Sequence, residues 1–198
     1  MYIPKYFKQE DKAKSIAFMQ TYNFAILIST DNGLPIATHL PFVIEEQDNT
    51  IVLFSHLSKA NPQWKTFEDK EVLVIFSEPH AYISPTLYTH EQNVPTWNYI
   101  AIHAYGKIKI ADSNEIKLEI LYKQMQGSEE SYLAQFNRLE KKYVTDLLDG
   151  IVAFEIHISQ LQSKAKLSQN KTEVERKKIK EHLLHTDDTV KQEIGKQM

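Results

Sequence analysis

FAILISTDNGLPIATHLPFVI, residues Phe24–Ile44, decides the fold. Phe24–Ser29 is an apolar, β-branched run of strand composition. Asp31-Asn32-Gly33 is a turn sequence that tolerates positive φ, and Pro35–Ile44 resumes the apolar run, so the stretch predicts an antiparallel hairpin. Working outward, Gln47-Asp48-Asn49 is a second turn leading into a strand over Thr50–Ser55, and Glu71–Phe76 (EVLVIF) reads as a buried central strand. Trp97–Ile110 alternates, with Ile100, Ile102 and Ala104 on one face and Lys107 and Lys109 pointing out, and Ile151–Ile158 is the last strand. Helical spacing occurs at Asp11–Met19, with Ile16, Phe18 and Met19 as its apolar contacts. It recurs at Asn114–Gln126, at Leu139–Leu148 and from Thr172 onward, with Leu118, Leu121, Tyr122 and Met125 spaced for one helix face. Helices do not alternate with the strands. The prediction is therefore mainly β with helices (α+β): a small barrel of about six strands with helical additions, not a doubly wound parallel sheet.

The chain has 198 residues, 42% of them hydrophobic, enough for one sizeable core. Residues 1–161 carry 14 basic and 20 acidic groups, and residues 162–198 carry 9 and 6. This fits a main domain over 1–170 and a charged helical extension over 171–198. The absence of cysteine excludes disulfides, thiol nucleophiles and thiolate metal sites. The first residues lack a signal-like apolar run, and no stretch approaches the ~20 apolar residues of a membrane helix, so a cytoplasmic protein is expected. The five glycines, Gly33, Gly106, Gly127, Gly150 and Gly195, are far apart, which removes both the GxGxxG fingerprint and the phosphate-binding P-loop. Eight histidines are scattered. Only His182 and His185 lie three apart, on a helix whose solvated face accounts for them, and no metal site is expected.

Polar and aromatic groups concentrate in four blocks: Ser55–Trp64 (SHLSKANPQW), Glu78–Pro85 (EPHAYISP), Val94–Tyr99 (VPTWNY) and Lys166–Asn170 (KLSQN). In the first, a strand ends at Ser55 and Asn61-Pro62 carries the signature of a helix start, with Ser58 and Lys59 beside it. A helix beginning there would offer unpaired amides to a phosphate; the plain alternative is an Asn-Pro helix start with no ligand. In the second, His80, Tyr82 and Ser84 share one face of an edge strand or loop bracketed by Pro79 and Pro85. Trp97 and Tyr99 suit a flat ligand, or equally a barrel core or a subunit interface.

With MYIPKYF at the start and ATHLPF at Ala37–Phe42, these blocks resemble the PaiB family of FMN-binding proteins, often described as negative transcriptional regulators. The likeness runs from Met1 to about Asn170. It implies an FMN-binding split β-barrel, a homodimer, and FMN held noncovalently between subunits. It also implies that Thr38, His39 and Leu40 lie along the isoalloxazine edge, and that Ser55, His56, Lys59 and Asn61 face the ribityl phosphate, with Ser58 joining them from the reading of the helix start. Trp97 and Asn98 would meet the ring, and the block with Lys166, Ser168 and Gln169 would lie near the partner subunit's cofactor. Independent readings of His39 and His56 are a strand histidine bonded to backbone and a strand-end loop histidine.

The functions that follow are a flavin-linked negative regulator, an FMN-dependent oxidase or reductase of a small molecule, and a haem-binding split-barrel protein. Direct DNA binding is doubtful on charge: the body is acidic, and the one basic cluster, Lys171–Lys180 (KTEVERKKIK), is interleaved with glutamates.

Overall fold

A computed structural model describes residues 1–68 and 70–198. The first hairpin forms as the turn sequence dictates: β1 (Phe24–Asp31) and β2 (Leu34–Pro41) pair from Phe24↔Pro41 to Asp31↔Leu34. Asn32 and Gly33 take φ values of 48° and 84°, the positive pair whose twist matches the flanking strands. The single strand expected over Pro35–Ile44 is broken. Pro41 has no amide to continue the ladder, the Phe42 amide turns to the carbonyl of Asn23 at 2.9 Å, and the chain restarts as β3 (Val43–Gln47). Phe42 is driven inward by the break, its ring centroid 6.0 Å from that of Phe76 and 6.5 Å from that of Phe154.

β3 pairs with β4 (Thr50–Ser58) across a second turn, in which Asp48 and Asn49 also have positive φ. β4 runs three residues past its expected end at Ser55, because Ser55, His56, Leu57 and Ser58 pair with Phe154, Ala153, Val152 and Ile151 of β8. The remaining strands are β5 (Glu71–Phe76), β6 (His80–Ile83), β7 (Thr96–Ile110) and β8 (Ile151–Lys166). The antiparallel sheet has the order β2-β1-β5-β7-β8-β4-β3, with β6 paired to β7. Among the described residues eight strands replace the expected six, through the break at Phe42 and the pairing of β6. β8 extends eight residues beyond Ile158 although that half is largely polar; its Ser163 and Lys164 are buried. Gly106 on β7 is required by packing, since a Cβ there would lie 2.3 Å from the His157 carbonyl oxygen.

The helices are α1 (Lys12–Thr21), α2 (Asn114–Glu129), α3 (Leu133–Phe136), α4 (Lys141–Asp149), α5 (Glu173–Leu184) and α6 (Thr189–Gln197). Ser113 caps α2 by accepting the Ile116 amide. The residue that α2 buries is Ile120, packed with Val52, Phe54, Ala111 and Ala153, while Leu118, Leu121, Tyr122 and Met125 are only half-buried. Lys123 fixes the same helix, pairing with Glu45 at 2.5 Å and lying 4.4 Å over the Phe54 ring. Among the described residues, no helix is long and apolar enough to cross a membrane.

The contacts divide into two units that interleave along the chain. One comprises Met1–Ser15, Ser77–Ile102 and Gln162–Met198; the other comprises Ile16–Phe76 and His103–Leu161. The larger unit has a core of Leu27, Phe42, Leu53, Phe67, Val74, Phe76 and Phe154. In the smaller, α5 starts with a capping box in which Thr172 accepts the Glu175 amide and the Glu175 carboxylate accepts the Thr172 amide.

Candidate functional site

The expected site residues fall into two groups, one in each unit. In the larger unit the group is organised by Gln63, which the sequence reading did not single out. Only 2% exposed, Gln63 donates through its amide nitrogen to the Leu27 carbonyl (3.2 Å), the Ile36 carbonyl (3.2 Å) and the Ser29 hydroxyl (3.1 Å). Its amide oxygen accepts the Thr38 hydroxyl at 2.5 Å, and that hydroxyl accepts from the Asn61 amide at 2.9 Å. Asn61 also accepts the Gln63 backbone amide at 3.0 Å and so caps the following turn. The helix expected to start at Asn61-Pro62 forms over Pro62–Thr66 as a five-residue 3-10 helix. It is too short for an appreciable dipole. Thr38 and Asn61 therefore share one network that ties β2 to the β4–β5 connection.

Ser58 and Lys59 stand in front of this network, both exposed. The backbone holds them: the Lys59 amide donates to Gly150 at 2.9 Å, its carbonyl accepts the Trp64 indole N–H at 3.1 Å, and the Ser58 hydroxyl accepts the Ala60 amide at 3.3 Å. Among the described residues the Lys59 ammonium has neither an ion pair nor a ring partner. The corner thus offers a cation and a hydroxyl on a braced loop, the donor set a phosphate monoester needs.

The other members lie along β2 and β4. His39 is exposed and stacks on the exposed Phe24, centroids 6.4 Å apart, while Leu40 is buried. Ser55 is fully buried and spends its hydroxyl on the Pro41 carbonyl at 2.7 Å. His56 lies within the strand, not in a strand-end loop, and its Nδ1 is 2.6 Å from the Gln124 amide oxygen of α2.

In the smaller unit, neighbouring residues of β7 part ways. Trp97 is 51% exposed and meets His80 and Tyr82 at 5.8 Å each, so it belongs to a surface aromatic patch and the barrel-core reading falls. Asn98 is 0% exposed; its oxygen accepts the Ser168 hydroxyl at 3.1 Å and its nitrogen faces the Met198 sulfur at 3.7 Å. Ser84 leaves the face of His80 and Tyr82 to cap the turn Pro85–Leu87. Lys166 is the last residue of β8, not part of a following loop, and donates to the Thr96 hydroxyl. Gln169 is exposed and folds back on its own turn, accepting the Leu167 amide and donating to the Ala165 carbonyl. Lys164 was also missed: buried, it donates to the Tyr2 carbonyl at 3.3 Å and lies 5.0 Å over the Tyr99 ring. Its only signal was a lysine alternating with Gln162 and Lys166 in a polar strand.

Titration is perturbed at a few places. Burial holds the His103 imidazole below its ordinary value, and its Nδ1 has no partner among the described residues. Burial likewise raises the Tyr88 phenol. The Glu175 carboxyl is lowered to about 2, chiefly by the Thr89 amide and then by the Thr172 amide and the two threonine hydroxyls. No cluster of three or more metal-ligating side chains occurs among the described residues.

The chain is 39% identical over 186 residues to the Protease synthase and sporulation protein PAI 2 of Bacillus subtilis (strain 168), covering 92% of this chain and 89% of that protein. Residues 1–160 match the family model described as "Putative FMN-binding domain". The chain belongs to the PaiB family of FMN-binding proteins. Among solved structures, this PaiB-family chain resembles the flavocytochrome Anf3 from Azotobacter vinelandii (TM-score 0.66, 15% identity, covering 83% of this chain and 72% of that one). It also resembles the FAD and heme binding protein from Mycobacterium smegmatis (TM-score 0.63, 13% identity, covering 80% and 73%). At these identities the likeness is one of fold, the α+β split barrel expected for the PaiB family.

Proposed function

We propose that the protein binds FMN noncovalently as a homodimer and acts as a flavin-linked negative regulator. The observation that carries this is the corner at Ser58-Lys59, where a cation with no ion pair among the described residues and a hydroxyl stand on a loop braced by the Gln63 network, in a chain of FMN-binding family. Lys59 and Ser58 would hold the phosphate, with Thr38 and Asn61 keeping the loop in place. His39 and Leu40 on β2 would border the ring. When bound, the flavin supplies hydride or electron exchange; the chain positions it and sets the charge around it. The exposed Trp97 and Tyr82 support a surface shared between two copies, with Asn98, Lys166, Ser168 and Gln169 on the same unit. Regulation by direct reading of DNA is not part of the proposal. Of the basic cluster, Lys178 donates to the Thr86 carbonyl at 3.0 Å and Lys177 stands 4.0 Å from Glu181.

The test begins with the visible spectrum of freshly purified protein, where oxidised-flavin bands are expected and a sharp Soret band would favour haem. FMN should then bind at least about tenfold more tightly than riboflavin, since a charge-assisted contact is worth roughly 1.5–3 kcal/mol. Equal affinities would overturn the phosphate assignment. Sedimentation of the FMN-loaded protein as a 23.1 kDa monomer would overturn the dimer.

A further inference from the structure

We infer a second small-molecule site in the larger unit, a cleft of about 350 Å3 built for an uncharged aromatic molecule that carries one N–H or hydroxyl donor. Pro41, Phe42, Val43 and His56 form its floor, and α2, α3 and the turn between them form its wall. Its volume lies in the range of small-ligand pockets and is far too small for a protein segment of any length.

Three observations define the occupant. First, the walls are aromatic and aliphatic: Tyr132 and Phe136 are paired at 6.2 Å, and Leu121 and Met125 complete the face that α2 leaves half-buried. Such walls take a flat apolar body.

Second, one polar group in the lining is held in a fixed state by a chain of hydrogen bonds. The Pro41 carbonyl can only accept, so the Gln124 group 3.2 Å from it is the amide nitrogen. That turns the Gln124 oxygen to His56 Nδ1 at 2.6 Å, and because this oxygen cannot donate, Nδ1 carries the proton. In the neutral ring Nε2 is then a bare acceptor, and among the described residues no protein group donates to it. The lining therefore asks its ligand for a donor.

Third, no lysine or arginine lines the cleft and Glu129 does, which disfavours carboxylates and phosphates. His56, which the family resemblance also sets toward the flavin phosphate, lines this cleft, whereas Ser58, Lys59 and Asn61, on which the proposed phosphate corner rests, do not.

The probe pair is indole and 1-methylindole, which share size and stacking while only indole has the N–H donor. Each is titrated by calorimetry into the full chain, with and without saturating FMN, and His56 is followed by nitrogen-detected histidine spectra. The expected result is one indole per chain, 1-methylindole at least about tenfold weaker, and a shift of the His56 Nε2 resonance with indole alone. Met125→Trp, which fills the cleft, should abolish indole binding and leave FMN affinity unchanged. His56→Phe should make the two probes bind equally; if that variant does not fold, Met125→Trp and the native His56 spectra decide the matter. Competition between indole and FMN, equal affinity of the two probes for the native chain, or no indole binding at millimolar concentration would each overturn the inference. Failure of FMN to bind would leave it intact.

Discussion

Lys59 and Gln63, four residues apart, show two opposite fates for a polar side chain. Gln63 is buried, uncharged, and makes four side-chain hydrogen bonds that join β1, β2 and its own turn. Lys59 is exposed and anchored only through its backbone. A buried, bonded amide contributes to the loop's geometry, and a cation with no partner among the described residues is open to a ligand. Substitution at the first should register as stability and at the second as affinity.

The largest effect is expected at Gln63. Gln63→Leu removes the side-chain donor to the Leu27 and Ile36 carbonyls, while the Ser29 and Thr38 hydroxyls keep Thr66 and Asn61 as partners, and at about 1–3 kcal/mol for each unsatisfied group a loss of at least ~2 kcal/mol is expected, read as a lower urea midpoint with unchanged slope. A loss under about 1 kcal/mol would mean the network is dispensable. Next, Lys59→Ala should weaken FMN about tenfold or more while leaving riboflavin affinity and the urea midpoint where they were. If it also lowers the midpoint, the contrast between the two residues collapses.

Glu175 extends the comparison to the smaller unit, where the buried hub is charged. Its carboxylate accepts the amide and the hydroxyl of both Thr89 and Thr172, at 3.0–3.1 Å. Because its pKa in the folded chain is about 2 against an ordinary 4.5, its contribution is fully present above about pH 4.5 and is lost as pH falls toward 2. Acid titration of Glu175→Gln should show a shallower loss of stability over that window than the parent does; superimposable curves would refute the assignment. The smallest effect belongs to Ser58→Ala, expected to reduce FMN affinity by a few-fold, less than Lys59→Ala because the hydroxyl is uncharged and exposed, with the urea midpoint unmoved.

These residues also mark what a reader of the sequence can and cannot obtain. Both hairpin turns were legible because Asn-Gly and Asp-Asn state their backbone angles locally. The corner at Ser58-Lys59 was legible because its parts are adjacent in the chain. Gln63 was not, since a single glutamine carries no period and its partners are 25–36 residues away. The pairing of His56 with Gln124 spans 68 residues and leaves no trace in either segment. The break at Phe42 was hidden by the continuous apolar run around it, although Pro41 was the signal. The far half of β8 was hidden by the opposite cause, polar residues buried because other parts of the smaller unit bond to them: the Gln9 amide reaches the Ser163 carbonyl at 3.0 Å, and Ser15 and Ser163 join hydroxyls at 2.9 Å.

The interleaving of the two units sets an order on the ribosome. Every segment of the larger unit has been synthesised once Leu161 is added, whereas Met1–Ser15 belong to a unit whose later segment, Gln162–Met198, follows all of them in the chain. At ~5–20 residues per second that stretch takes on the order of seconds to emerge. Early in that stretch β8 supplies the Ser163 carbonyl to the waiting Gln9 amide, and until its end the smaller unit still lacks α6.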